Sequence, residues 1–256
     1  TAGDFDRVNL ISGGSAANTV TLATATGAET TDGYWITGTQ NMTLRGAGAI
    51  FDNLRFNASG QTGSATTEIV ITDDFNAAFR LANTAGIDKV TYNVAQTATT
   101  TVNGAESGIV VQLNADAPGN VVIDLRANGL SDSATLILTN GADVTGNVAQ
   151  TTAGLLETLT INSTGTVDGG ANTIGGTVNM TPATAGTQKL VITGGSALTI
   201  TSAVSADEID ASAFTSALTF GTAFGAATVF KGGSGVDTVD ATGTASVVQG
   251  NGGADV

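Results

Sequence analysis

Apolar and polar residues alternate with period two in short runs along the chain, and the runs end at Gly, Asn or Asp. That pattern predicts strands with one buried face. The clearest runs are Thr19–Thr24, Glu68–Thr72, Lys89–Val94, Gly108–Leu113, Val121–Leu125, Ala134–Thr139, Glu157–Asn162, Lys189–Thr193 and Ala197–Thr201. No stretch keeps helical spacing over four turns, because Gly, Thr and Asn interrupt nearly every window. Asp73–Ala82 is the best candidate for a short helix, with Asp73 as its cap and Phe75, Phe79 and Leu81 on the buried side.

Many short strands between tight turns predict an all-β fold: a sandwich, a barrel or a β-solenoid. Composition favours the solenoid or β-roll. Of 256 residues, 44 are Thr, 39 Ala and 35 Gly, and small residues suit the ladders of a narrow stacked core. Two echoes point the same way. NVAQT occurs at Asn93–Thr97 and at Asn147–Thr151, and a Gly, apolar, acid, strand order recurs at Gly86–Val94 and Gly154–Asn162. Disorder is excluded by 41% hydrophobic residues and only 12% charged ones.

The chain has no His and no Cys. This removes the Ser-His-Asp triad, the Cys-His pair, zinc clusters and any disulfide framework. A net charge of −14 argues against nucleic acid as a partner. No apolar run approaches the roughly 18 residues of a membrane span. The chain begins at Thr1 without Met or an apolar leader, as expected of a fragment or a processed protein. Near residue 205 acids and Gly-rich turns become frequent. This predicts a Thr/Ala/Gly-rich β-domain over 1–204 and a distinct segment over 205–256.

That segment holds the one motif with chemistry. Gly232–Asp240 reads GGSGVDTVD and fits G-G-x-G-x-D-x-U-x at Gly232, Gly233, Gly235, Asp237 and Val239. Eighteen residues later Gly250–Val256 reads GNGGADV, with Gly250, Gly253 and Asp255 in place and Asn251 at the second Gly. The repeat between them is degenerate; it keeps Val248 at the apolar position but has Ser246 at the Asp position. In a β-roll two nonapeptides make one coil, so the two good repeats would fall on the same side of successive coils. Glycines let turn carbonyls point at an ion, Asp supplies a carboxylate, and calcium accepts six to eight such oxygens. The candidate metal residues are therefore Gly232, Gly233, Gly235, Asp237, Asp240, Gly250, Gly253 and Asp255. The plain alternative is a Gly/Asp-rich turn without metal.

Other candidates have structural explanations beside functional ones. Asp73-Asp74 reads as a solvated turn or cap before it reads as a glycosidase pair. The cluster Asp207, Glu208, Asp210 reads as a polar turn or a calcium loop. Tyr34-Trp35 reads as a core anchor before a sugar-stacking pair, and Asp132 as an ordinary turn residue.

GGSGVDTVD and GNGGADV resemble RTX repeats, which occur in proteins exported by type I secretion. The Thr/Ala/Gly-rich body with GLLETLTIN and SADEIDASAF resembles calcium-dependent bacterial S-layer proteins of the Caulobacter kind. The resemblance implies a secreted, extracellular, non-enzymatic protein at the cell surface. Its calcium sites would order the β-structure, and its copies would join into a homo-oligomeric lattice, with cell-surface polysaccharide as a further possible partner. It also implies that the roll is truncated here at its C-terminal end. An RTX adhesin or fibre subunit is the alternative. A β-helical polysaccharide lyase is the remote one, since none of the five Arg residues falls in a recognisable motif.

Overall fold

The computed structural model describes residues 8–12, 18–21, 33–38, 41–47, 55–82, 84–149, 156–165, 170–180, 187–224, 228–240 and 247–256. The described residues form β-strands and no helix, and every strand pairing is parallel. The chain winds as a β-solenoid. Eleven strands, from Asn18–Thr21 to Val247–Gln249, stack in chain order into the main sheet. A six-stranded sheet runs from Phe79–Arg80 to Val204–Ser205, and a five-stranded sheet from Asp143–Val144 to Asp237–Thr238. A three-stranded sheet stands at the N-terminal end.

All nine strand-like runs of the sequence fall on strands, the first of them over Thr19–Thr21 with its residues 22–24 outside the described residues, and their alternation explains why. In the main sheet Ile69, Val90, Val111, Leu136, Ile161 and Ile192 face one another across consecutive coils, and each is fully buried. Residues between them point outward. Burying each such side chain contributes about 1.5–3 kcal/mol, so a one-residue slip would forfeit a whole ladder. On the five-stranded sheet the outward row is Thr173, Thr199, Thr219 and Thr238.

Asp73–Ala82 is not a helix. Gln96, buried in the next coil, takes its backbone groups: Gln96 Oε1 accepts the Phe75 N–H at 2.9 Å, and Nε2 donates to the Asp73 carbonyl at 3.0 Å. The Asp74 carboxylate accepts the Thr97 N–H and hydroxyl rather than capping its own segment. Phe79 and Leu81 bury with period two from an extended chain. The NVAQT echo is not a structural repeat either, since Asn93 follows a main-sheet strand and Asn147 precedes one of the six-stranded sheet.

Coil length sets the shape of the C-terminal end. Thr160 faces Val191, 31 residues on, Val191 faces Asp210, 19 on, and Lys231 faces Gln249, 18 on. The six-stranded sheet ends at Val204–Ser205. Beyond it each described coil carries one strand of the main sheet, joined as far as Asp237–Thr238 by one of the five-stranded sheet. The solenoid thus narrows to a two-sided roll where the composition changes, while the main sheet runs on across residue 205 through Lys189↔Glu208. Rings close the narrowed core: Phe220 packs edge-on against Phe224 and Phe230, with centroids 4.9 and 5.7 Å apart, and Phe214 is fully buried.

Candidate metal centre

The 18-residue coil brings the two GGxGxD-like turns into register. Gly232 N–H donates to the Gln249 carbonyl at 2.7 Å, and Gly252 N–H to the Gly233 carbonyl at 3.0 Å. Asp237 N–H donates to Asp255 Oδ1 at 3.0 Å. Asn251, at the position of the second Gly, holds φ at 67° and crosses to the Gly232 carbonyl through Nδ2 at 2.6 Å. Asn tolerates this left-handed conformation better than other side chains, so the departure from the motif is accommodated.

The glycines are required by close approach. A Cβ on Gly232 would stand 2.5 Å from Asp237 Oδ2 and closer still to the Gly250 carbonyl oxygen. On Gly233 it would strike the Phe214 carbonyl, on Gly235 that of Ser216, and on Gly253 that of Gly235. Gly250 leaves room for the Asp255 carboxylate. Backbone oxygens of one turn therefore crowd against the next, beside two carboxylates.

Asp237 is 1% exposed. Its Oδ2 accepts the Gly233 N–H at 2.8 Å, while Oδ1 has no hydrogen-bond partner. Burial pushes this carboxyl above the usual Asp range, and the charge of Asp255 adds to the rise, against the Gly233 and Leu218 N–H groups, which favour the ionised form. Burying an ionised carboxylate without a countercharge costs several kcal/mol. Among the described residues no basic side chain is paired with it, for Lys231, which precedes the turn, is paired with Glu208 at 2.7 Å. A cation on Oδ1 would. Two carboxylates among main-chain oxygens form an all-oxygen donor set, which suits a hard divalent ion such as calcium.

The structure gathers Gly232, Gly233, Gly235, Asp237, Gly250, Gly253 and Asp255, and leaves Asp240 apart. Asp240 is exposed beyond Asp237–Thr238, and its carbonyl accepts the Phe224 N–H. Among the described residues no three acidic side chains converge, so main-chain oxygens have to complete any coordination. Ser246 lies outside the described residues, as do the side chains of Tyr34 and Trp35. Val248 is 44% exposed on the last strand of the main sheet.

The acidic cluster at 207–210 is not a calcium loop. Glu208 and Asp210 alternate with lysines across three coils: Lys189 reaches Asp210 at 2.6 Å and Glu208 at 3.3 Å, and Lys231 reaches Glu208 at 2.7 Å. The Lys231 ammonium holds Glu208 below its ordinary range, and Lys189 draws Asp210 down to about 2. Asp207 belongs to a different device. It accepts the Gln188 N–H at 2.8 Å from the preceding coil, as Asp88 accepts that of Thr67 and Glu157 that of Asp132. Each acid stands just before a main-sheet strand. This corner explains the recurring apolar, acid, strand order. Asp132 itself is 8% exposed and accepts the Gly129 N–H, so it is no ordinary turn residue.

Fold and site together define a parallel β-solenoid with two in-register GGxGxD-like turns in successive coils. No known protein family, curated protein or solved structure matches the chain. No helix of the described residues is long and apolar enough to cross a membrane.

Proposed function

We propose that this protein is a secreted structural component of a bacterial surface layer, whose copies assemble into an extracellular lattice stabilised by calcium. One observation carries the reading: the buried Asp237 carboxylate, with Oδ1 unpartnered, lies one coil from Asp255. Calcium between these turns ties the last two coils together and removes the cost of the buried charge. At the millimolar calcium outside a cell such a site fills, since extracellular modules bind with Kd of roughly 10⁻⁴ to 10⁻³ M. The reading includes no catalytic step. Asp74, one of the paired carboxylates, is committed to the Thr97 N–H and hydroxyl, which hold it below its ordinary range.

Calorimetric titration with Ca²⁺, with negative-stain imaging in calcium and in chelator, tests the reading. It predicts saturable binding and an ordered array that disperses on chelation. Absence of binding up to about 10 mM, well above the extracellular range, overturns it.

A further inference from the structure

We propose that the outer face of the eleven-stranded sheet is the surface through which one copy of the chain docks on a second copy. The inference rests on the lattice reading above and names the face that would build it. Charge is the first argument. The strands of this sheet contain four of the chain's eight basic residues, Arg45, Lys89, Lys189 and Lys231, and three of its 22 acidic ones, Glu68, Glu208 and Asp210. All three lysines of the chain stand here. The net charge of −14 is therefore carried outside these strands, in part by the corner acids Asp88, Glu157 and Asp207 at one rim, and two such bodies approach with little repulsion across this face.

The charges that are present are already paired within one copy. Lys89 meets Glu68 at 3.3 Å, Lys189 meets Asp210 at 2.6 Å, and Lys231 meets Glu208 at 2.7 Å. Between these groups, Ile109–Leu113, Ser133–Thr139 and Thr158–Thr164 contain no charged residue. Their outward positions include Val110, Thr135, Ile137 and Thr160, half-buried and in register. Depletion of charge at the centre, with polar groups around it, is the anatomy of a protein interface.

Size is the second argument. Eleven strands about 4.8 Å apart span about 50 Å, and five residues reach about 17 Å, which gives about 850 Å². A stable interface takes about 800 Å² from each partner. The outward threonine row of the five-stranded sheet is one residue wide and too narrow for this. A glycan is the less suitable occupant, because the aromatic residues in these eleven strands, Tyr92 and Phe230, are both buried and offer no ring for stacking.

Sedimentation velocity of the full chain in saturating calcium, over a range of concentration, tests this with Thr135→Glu, Thr135→Lys and Thr199→Glu. Thr135 lies at the centre of the uncharged region and Thr199 on the five-stranded sheet. Both side chains are half-buried and point outward, and an unchanged far-UV circular dichroism spectrum verifies folding. A charge placed at the centre of an uncharged interface is buried without a partner, so either Thr135 variant should weaken self-association at least about tenfold, and Thr199→Glu should leave it as in the wild type. Wild-type association by both Thr135 variants overturns the proposal and leaves the calcium reading standing, provided the same samples bind Ca²⁺. A monomeric wild type that binds Ca²⁺ and takes up bacterial surface polysaccharide in a Thr135-dependent way also overturns it, in favour of a glycan. Loss of Ca²⁺ binding in the wild type is the separate failure of the functional reading.

Discussion

Asp237 donates its main-chain N–H to the carboxylate of Asp255, 18 residues ahead, at 3.0 Å. Its own carboxylate is buried with Oδ1 unpartnered. The same relation recurs at the acid corners, where Asp88, Glu157 and Asp207 each accept an N–H from the coil before. The difference at Asp237 is a second carboxylate and a burial that the Gly233 and Leu218 N–H groups offset only in part.

Asp237→Asn keeps the shape and removes the charge. In chelator, residues 229–256 of the variant should exchange amide hydrogens no faster than the wild type. In calcium, the wild type should gain protection that the variant lacks. At a hundredfold excess over Kd the gain is about 2.7 kcal/mol, or about a hundredfold slower exchange. Asp143→Ala, at an exposed carboxylate, serves as the control. Equal calcium protection of Asp237→Asn and wild type would falsify the assignment of the ion to this carboxylate.

Calcium affinity should fall with pH. Burial raises the Asp237 pKa above its unfolded value, so without an ion this group stabilises the fold below the unfolded value and that contribution is lost as pH rises through the folded one. Calcium needs the ionised form and competes with the proton. Titrations at stepwise lower pH should show weakening that begins above the ordinary Asp range, with proton release on binding. A constant affinity down to the ordinary range contradicts this.

Asp210→Asn tests the ion ladder. Lys189 holds Asp210 at about 2, so the stability of this pair is present above the unfolded Asp value and is lost as pH falls from there through about 2. Both side chains are partly exposed, which limits the contribution to about 1 kcal/mol. Local exchange of residues 187–210 should show a loss of that size at pH 7, insensitive to calcium. A loss that appears only in calcium would mean the cluster holds an ion after all.

Gly235→Ala should destabilise the terminal coil with or without calcium. Its Cβ would strike the Ser216 carbonyl, a backbone atom that cannot move alone, and such overpacking costs about 3 kcal/mol. Gly108→Ala, at φ 92° with open space around it, should cost only about 1 kcal/mol, that of a left-handed residue. Thermal or denaturant melts followed by local exchange separate the two.

Much of the fold is legible in the residues. Val121–Leu125 is bounded correctly to the residue, because in a solenoid each strand has one buried face and period two reports it directly. The 18-residue spacing of Asp237 and Asp255 likewise marks one coil, since a nonapeptide repeat is itself a statement of coil geometry. The short helix at Asp73–Ala82 misreads a pattern that Gln96, 23 residues away, resolves. The acids at 207–210 mislead for the same reason, because their partners Lys189 and Lys231 arrive from neighbouring coils.

The sequence by itself determined the all-β class, the strands and the phase of the terminal turns, because these depend on residues that are near neighbours in the chain or one fixed repeat apart. The tertiary structure alone decided which acids are paired, which cap a corner and which is left buried without a partner. Irregular coils of 18 to 31 residues set those contacts, and no single period in the chain encodes where one coil lies on the next.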